Sequence, residues 1–237
     1  MKRILMGISA AALIASGAAA ADAGKAKPDR GELMMPTAEG MKTAPPKAPP
    51  PGWSVVIFDN IQRAVSKVKY NCCHGFGIQG PHNGLGQHML FDGVSFTPQS
   101  DLKVVEIDVP ASYNAGTNAI DVVLYSDNSG VPGSAMKTWQ FHNLPALGSC
   151  CSYLAATDPA GIPVVAGKKY WVVLRTDNTS LDALVTWNLN SVDLVHTQEF
   201  TQYCSNDAQG TPCTTPNDQW STMTIQPPGL GLAVLAN

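Results

Sequence analysis

The chain has 237 residues, with 15 Lys or Arg against 18 Asp or Glu and a formal net charge of −3. This balance argues against nucleic acid as a partner, because phosphate binding requires a concentrated positive surface. The sequence contains no G-x-S-x-G, no H-E-x-x-H and no Gly-rich phosphate loop. Binding is therefore expected rather than catalysis, and a hydrolase without a familiar motif is the least favoured alternative.

The first residues have the pattern of a secretory signal peptide over residues 1–21. Lys2 and Arg3 precede an apolar run, and Ala18 to Ala21 supply the small residues that signal peptidases cleave beside. The apolar run is short for a membrane span. The sequence therefore predicts a secreted or periplasmic bacterial protein whose mature chain has no membrane span.

Residues 22–52 are predicted to be a disordered, Pro-rich linker. The stretch has no apolar periodicity and cannot bury enough surface to offset its ordering entropy. A proline-binding domain could use PPKAPPP as a docking ligand, but a plain linker is favoured by the composition. Its prolines are Pro28, Pro36, Pro45, Pro46, Pro49, Pro50 and Pro51.

Residues 53–237 are predicted to form one all-β domain, an antiparallel β-sandwich. Short apolar runs alternate with Gly, Pro, Asn and Asp, and no continuous helical pattern is present. Predicted strands cover residues 54–58, 65–70, 93–96, 102–109, 120–125, 137–141, 169–175, 183–188 and 223–226.

The strand over 102–109 is predicted to have one wet face. Val105, Ile107 and Val109 alternate with Glu106 and Asp108, which is typical of an antiparallel sheet exposed on one side.

Apolar bulk on both faces of the 169–175 strand predicts a central position in the sheet. Trp171 and Trp187 could serve as sugar-stacking platforms, but within such strong β-runs they are expected in the core.

The most distinctive stretch is AIDVVLYSDNSGVPGSAM. A strand over 120–125 runs into a polar turn at 126–130, and Pro132-Gly133 is expected to mark a second bend. The turn is best explained as a hairpin that sets strand register rather than as an active site. A functional surface is expected instead in the Cys-bearing, Gly-rich loops.

Four phrases carry a family resemblance: FDGVSFTP from Phe91, LYSDNSGVPGSAM, AGKKYWVVL and the later Trp187. Together they resemble the choice-of-anchor domains of exported bacterial proteins over residues 91–188. The resemblance implies a jelly-roll-like β-sandwich. Many members end in a hydrophobic sorting tail with basic residues. This chain instead ends QPPGLGLAVLAN, which favours release or periplasmic residence over a C-terminal anchor.

By analogy with that fold and exported setting, the expected function is a binding or surface-interaction module, with polysaccharide as the favoured ligand class. Tyr113, Tyr153 and Trp220 are the aromatic candidates for stacking on sugar rings. The alternative is a structural component of the cell surface or extracellular matrix that binds no small ligand.

Calcium is the candidate cofactor. Asp127 and Asn128 in the central turn, with Asp92 in the FDGVSFTP phrase, offer the oxygen ligands that this ion prefers. The turn lacks the D-x-D-x-D-G-x5-E spacing of a helix–loop–helix calcium site, and Asp and Asn in a hairpin need no ligand to explain them.

A second metal candidate is NCCHGFGIQGPHNGLGQH, where His74, His82 and His88 lie near two cysteines. Imidazole and thiolate bind zinc or copper. The stretch lacks C-x-x-C and H-x-x-x-H spacing, and an oxidising compartment would convert the thiols to disulfides.

Six cysteines in an exported chain predict disulfides. Residues adjacent in sequence rarely reach disulfide geometry, so pairing within each neighbouring pair is disfavoured and about ten of fifteen arrangements remain. A local bridge between Cys204 and Cys213 is favoured, and the two neighbouring pairs would then cross-link with each other. Those pairs are Cys72-Cys73 and Cys150-Cys151.

Overall fold

The structure, a computed structural model, describes residues 32–34, 55–62, 70–83, 88–149, 153–191, 197–206 and 219–237. Every regular element in these ranges is a β-strand, and none of them contains a helix with the length and apolar character needed to cross a membrane. The strands are β1 (Glu32–Met34), β2 (Val55–Asp59), β3 (Tyr70–Gln79), β4 (His88–Phe96), β5 (Leu102–Val109), β6 (Ala111–Ala115), β7 (Ala119–Asn128), β8 (Val131–His142), β9 (Leu154–Val164), β10 (Tyr170–Arg175), β11 (Leu184–Asn190), β12 (Gln198–Asn206), β13 (Gln219–Ile225) and β14 (Ala233–Ala236).

These strands form two antiparallel sheets, which confirms the predicted all-β sandwich. The larger sheet has the order β6-β11-β3-β4-β10-β7-β8, with β1 added to β3 and the β12–β13 pair added to β4. The smaller sheet has the order β2-β14-β5-β9. As predicted, β10 is a central strand, between β4 and β7.

The main core lies between the two sheets. Alternate residues of the larger sheet, such as Val94, Val122 and Val172, pack there with Ile107 and Val234 of the smaller sheet. The strict alternation of strand side chains explains why every second residue of β4, β7 and β10 faces this core.

Both tryptophans expected in the core are fully buried. Trp187 belongs to the main core, and its indole Nε1 donates a hydrogen bond of 2.7 Å to the carbonyl oxygen of Gly231. This bond satisfies the polar atom of a ring that is otherwise surrounded by apolar groups. Trp171 lies in a second, smaller core on the opposite face of the larger sheet.

The larger sheet curls back on itself around this second core. In the order β13-β12-β4-β10-β7, four strand spacings of about 4.8 Å would separate β13 from β7 if the sheet were flat. Thr222 on β13 nevertheless donates a hydrogen bond of 2.9 Å to the carbonyl oxygen of Gly130, in the turn after β7. The inner side of this curl, here called the concave face, carries Val123, Tyr125, Trp171 and Val173.

The central hairpin forms as predicted. β7 and β8 are joined by Ser129 and Gly130, whose φ angles of 56° and 91° are both positive. Two positive φ angles are typical of the tight turns that match the twist of paired strands. The second bend expected at Pro132-Gly133 is absent: both residues lie within β8, and Pro132 pairs with Asp127.

The predicted wet face of β5 is wrong. Glu106 and Asp108 are 1% and 0% exposed, while Val104 replaces Val105 in the main core. The pairing of β5 with β14 places Val104 opposite Ala236 and Glu106 opposite Leu235, so Val105 is an extra residue in β5. It changes the face of Val104, whereas Ile107 and Val109 lie in the core as predicted. In addition, Asp108 pairs with the fully buried Ala233, so this side of the small sheet is covered as well.

Apart from β1, four strands of the two sheets, β6, β9, β12 and β14, were not predicted, and β3 was predicted only at Tyr70. In β3, β9 and β12 the sequence contains breakers or polar residues. β9 includes Asp158, Pro159, Gly161 and Pro163 but remains one strand. Among the described strands it pairs only with β5, and at such an edge a proline whose nitrogen faces outward costs no ladder hydrogen bond. The polar β12 was not predicted as a strand, and the Gly-rich half of β3 was interpreted as a loop.

The segment predicted to be a disordered linker contributes a strand. β1 pairs with β3 through Leu33 and Gly75. A Cβ atom on Gly75 would lie 2.1 Å from the carbonyl oxygen of Trp187, so the missing side chain permits the close approach of β11 to this part of β3. The signal peptide and the rest of the linker lie outside the described residues.

Candidate functional site

Three aromatic side chains form a row across one end of the concave face. Tyr203 of β12 pairs with Phe91 of β4 on one side and with Trp220 of β13 on the other. The Phe91 and Tyr203 rings are stacked with centroids 5.7 Å apart, and the Tyr203 and Trp220 rings are tilted with centroids 5.4 Å apart. All three side chains are partly exposed. We call this set the aromatic row.

The aromatic row is held by the second core beneath it. Phe91 and Trp220 pack against the apolar residues of the concave face, which include the fully buried Trp171 and Val173. Rings fixed in this way lose little additional side-chain entropy when a ligand binds, which favours recognition.

Arg175 and Asp121 lie at the same end of the sheet as the aromatic row. Leu174 pairs with Asp92, so Arg175 and Phe91 are the next residues of β10 and β4 in that direction. Arg175 pairs with Asp121 across β10 and β7, with 3.5 Å between Nε and the Asp121 Oδ2.

Burial raises the pKa of Asp121, and the neighbouring Arg175 opposes this effect. The guanidinium also donates a hydrogen bond of 2.9 Å from Nη1 to the Tyr125 hydroxyl. Burial likewise raises the pKa of Tyr125, so this phenol stays protonated at neutral pH. Arg175 is therefore positioned by an anion and by a neutral hydroxyl.

Gln140 extends the polar groups toward β8. Its Nε2 donates a hydrogen bond of 3.1 Å to Asp177 Oδ2, and it pairs with Asp121 across the β7–β8 ladder. Burial acts to raise the pKa of Asp177, but hydrogen bonds from Thr179 and Ser180 outweigh it and lower the pKa. We refer to Asp121, Arg175, Gln140 and Asp177 as the polar cluster.

The opposite end of the concave face is internally satisfied. Lys169 Nζ lies 2.6 Å from Glu199 Oε1, and Ser95 donates a hydrogen bond of 2.7 Å to the other Glu199 oxygen. Trp171 Nε1 donates a hydrogen bond of 2.7 Å to Asp127. Because these groups already bind one another, the aromatic row is the better candidate for ligand contact.

The structure separates the three aromatic candidates. Tyr113 packs against the main core and donates a hydrogen bond of 2.8 Å to the Gly116 carbonyl oxygen. Tyr153 packs against a third cluster, which contains Cys72 and Cys73. Only Trp220 belongs to the aromatic row, so the three residues do not form one surface.

The proposed calcium ligands are not brought together. Asp92 faces the main core, where its Oδ1 accepts a hydrogen bond of 3.0 Å from Gln202. Asp127 faces the concave side and accepts from Trp171 and, at 3.0 Å, from the Gly130 amide. Since Tyr170 pairs with both Phe96 and Ser126, the two carboxylates lie about five residues, or about 17 Å, apart along the strands. Asn128 is exposed at the turn.

The histidine candidates do not converge either. His74 Nδ1 lies 2.9 Å from Asn71 Nδ2, and His82 is exposed. The side chain of His88 lies outside the described residues. No group of three or more His, Cys, Asp or Glu side chains that could hold a metal ion is found in the described part of the chain.

Cys72 and Cys73 are buried free thiols whose Sγ atoms are 3.1 Å apart. Burial, followed by the hydrogen bond between the two thiols, raises the pKa of Cys72 to about 11. Cys204 is buried on β12. Cys150, Cys151 and Cys213 lie outside the described residues, so the predicted pairings stay predictions.

No family model matches the chain, and no curated protein matches it. The resemblance to choice-of-anchor domains therefore stays a prediction.

The sequence analysis did not predict three residues of this site: Phe91, Tyr203 and Arg175. Each lies on a strand rather than in a loop, and the three are brought together by strand pairs such as Tyr203 with Phe91, 112 positions away in sequence. A partial signal exists: Phe91 alternates with the small residues Gly93 and Ser95 on one face of β4. Such a pattern indicates a face that is not uniformly apolar.

Proposed function

We propose that the protein is a secreted, non-catalytic carbohydrate-binding module of the choice-of-anchor type, and that it binds polysaccharide at the aromatic row. The observation that carries this proposal is the set of partly exposed rings of Phe91, Tyr203 and Trp220 beside the polar cluster. Ligand sites commonly combine apolar and aromatic surface with a few positioned polar groups.

The aromatic row and the polar cluster match the apolar face and the hydroxyl groups of a sugar ring. The C–H groups on one face of a pyranose ring are apolar and pack on aromatic surface, whereas the hydroxyl groups need donors and acceptors. Trp220 is the ring best placed for stacking. It lies on β13, which pairs only with β12 in the described part of the larger sheet, so no further described strand flanks this ring. The Arg175 side chain, which is 33% exposed, and the exposed Gln140 offer polar groups at the other end of the row.

The charges of the polar cluster favour a neutral polysaccharide. Arg175 is already paired with Asp121, and Asp177 adds a second carboxylate with a lowered pKa. An acidic sugar would approach this net negative group at an electrostatic cost. Uronic acid polymers are therefore expected to bind more weakly than neutral glucans or mannans.

A glycan array followed by titration of tryptophan fluorescence tests the proposal. Trp220→Ala and Tyr203→Ala are each expected to weaken binding about tenfold or more, which corresponds to about 1.4 kcal/mol of lost contact. Tyr113→Ala is the matched control, because Tyr113 is also partly exposed but packs elsewhere. Thermal unfolding of each variant separates lost binding from lost folding.

Failure to bind any glycan would contradict the proposal and leave the structural cell-surface component as the surviving interpretation. Equal losses for Trp220→Ala and Tyr113→Ala would also contradict it, because the aromatic row would then have no special role.

A further inference from the structure

The C-terminal strand lies in the middle of the smaller sheet. β14 pairs with β5 on one side and with β2 on the other, and β2 has no other partner among the described strands. All four residues of β14 are 0% exposed. The pairing continues to the end of the chain, because the amide of Asn237 donates a hydrogen bond of 3.1 Å to the carbonyl oxygen of Lys103. Without β14, the smaller sheet would be divided into two parts.

Residues 229–232, directly before β14, are held through their backbone by two buried side chains. Nδ2 of Asn60 donates a hydrogen bond of 2.7 Å to the carbonyl oxygen of Leu230, and its Oδ1 accepts one of 2.7 Å from the amide of Leu232. Gln198 binds Leu230 in the same way, with 3.0 Å from Nε2 to the carbonyl oxygen and 2.8 Å from the amide to Oε1. These two side chains thus bind an extended backbone as a neighbouring strand would. We call residues 229–237 the C-terminal segment, and the surface that binds it, from Asn60 and Gln198 to β2 and β5, the slot.

The slot also selects side chains. A Cβ atom on Gly231 would lie 2.5 Å from Cγ of Pro110, and one on Gly229 would lie 2.7 Å from Oε1 of Gln198. Only glycine therefore fits at these two positions without displacing a neighbour. Alternate residues from 230 onward are apolar and enter the main core: Leu230, Leu232 and Val234. The slot and the C-terminal segment thus match in side chains as well as in backbone hydrogen bonds.

We propose that the slot is a peptide-binding site for the C-terminal segment, and that the domain folds only once this segment occupies it. The contact of Asn60 with Leu230 joins residues that are 170 positions apart. Ordering a chain over such a distance costs entropy, which only the contacts formed at the end can offset. Without the C-terminal segment, β2 loses its described partner and the main core loses three apolar side chains. Because folded proteins are only marginally stable, the remaining contacts are expected to be insufficient.

The position of this segment at the end of the chain delays folding. Synthesis finishes with residues 229–237, so the slot is filled only after translation is complete. A chain with an empty slot stays unfolded, and an unfolded chain can be threaded through a protein-conducting channel in a membrane. This delay suits the export that the signal peptide pattern of residues 1–21 predicts.

A cut in the connection between β13 and the slot tests the proposal on the full chain. A protease recognition sequence is inserted between Gln226, which is exposed, and Pro227. The folded protein is cut, unfolded in urea and separated from the released fragment, and refolding is followed by circular dichroism and tryptophan fluorescence. The larger fragment is expected to stay unfolded alone and to fold when a synthetic peptide of residues 227–237 is added. Folding without the peptide would overturn the proposal. Failure to fold with the peptide, under conditions in which the uncut insertion variant refolds, would overturn it as well.

Peptide variants separate recognition by the slot from a general effect of apolar peptides. With Gly231→Ala, the peptide concentration that restores half of the folding signal is expected to rise about tenfold or more, because the added methyl group meets Pro110. Asn237→Ala is the matched control, because Asn237 is exposed, and it should leave that concentration unchanged. Equal concentrations for the two variants would contradict selection by the slot.

The same dependence is expected in the cell. A chain that ends at Pro228 should lose its signal peptide as fast as the full chain, since export does not require folding, but it should be degraded afterwards. Pulse labelling measures both rates. Accumulation of a protease-resistant chain without the C-terminal segment would overturn the proposal.

Discussion

The Thr222 hydroxyl donates a hydrogen bond of 2.9 Å to the carbonyl oxygen of Gly130, and this contact joins the last strand of the curled sheet to the turn of its central hairpin. Thr222 also lies 3.2 Å from the Thr201 hydroxyl on β12. The contact closes one side of the concave face, while the aromatic row lies at one end of it. The hairpin thus supports the proposed site without contributing a ligand-binding side chain.

Replacing Thr222 by Val should loosen this closure. Val keeps the β-branched shape but removes the hydroxyl, so about 1 kcal/mol of unfolding free energy is expected to be lost. Urea denaturation measures this loss. Thr224→Val is the control, because Thr224 is an exposed threonine on the same face of β13. A Thr222 variant as stable as the Thr224 variant would show that the contact contributes nothing.

Arg175→Met should destabilise the protein because it leaves the buried Asp121 without its cation. Removing one member of a buried ion pair costs about 3–5 kcal/mol. A loss of about 2 kcal/mol is expected here, since the Arg175 side chain is 33% exposed. In a double-mutant cycle, Asp121→Asn should recover part of that loss in the Arg175→Met background. Additive effects of the two changes would rule out the pair.

The raised pKa of Asp121 predicts a distinctive pH dependence. Burial favours the protonated carboxyl in the folded state, so the stabilising contribution of Asp121 is fully present below the ordinary aspartate pKa of about 3.9. It is lost as the pH rises through the higher pKa of the folded state. Relative to Asp121→Asn, the unmodified protein should therefore lose stability from acid toward neutral pH. Urea midpoints across that range measure the difference, and the opposite slope would contradict it.

Gly75→Ala should destabilise the larger sheet through a backbone clash. The added Cβ would lie 2.1 Å from the Trp187 carbonyl oxygen, and a loss of roughly 1–3 kcal/mol is expected from overpacking. Gly167→Ala is the control, because its Cβ meets no atom within 4 Å and only its φ of 71° is unfavourable. Thermal unfolding that ranks Gly167→Ala as the more harmful change would disprove the steric explanation.

The sequence predicted those parts of the fold in which local chemistry and tertiary packing agree. β5 was placed over its full length, and the polar turn after Tyr125 was identified because Ser129 and Gly130 suit positive φ angles. Prediction from the sequence failed where tertiary contacts determine the local structure. The bulge at Val105 placed Val104 in the core instead of Val105, and the edge position of β9 allowed a strand through Pro159.

The candidate site was predicted only through Trp220. Its neighbours in the aromatic row come from β4 and β12, so long-range strand pairing brings them together. The turn at Asp127 attracted a calcium prediction because carboxylate and amide oxygens cluster there in the sequence. In the structure, that carboxylate accepts hydrogen bonds from Trp171 and Gly130. Hydrogen-bond partners of this kind depend on the tertiary fold and cannot be predicted from local composition.

The prolines of β9 have a consequence for behaviour at high concentration. Within the part of the chain that the structure describes, β9 is an edge of the smaller sheet, and Pro159 and Pro163 are both exposed along it. An unprotected edge strand offers amide and carbonyl groups to any neighbouring chain and so promotes aggregation. Each proline lacks the amide hydrogen that such pairing would use. The prolines that concealed β9 in the sequence therefore disfavour pairing of a second copy along this strand.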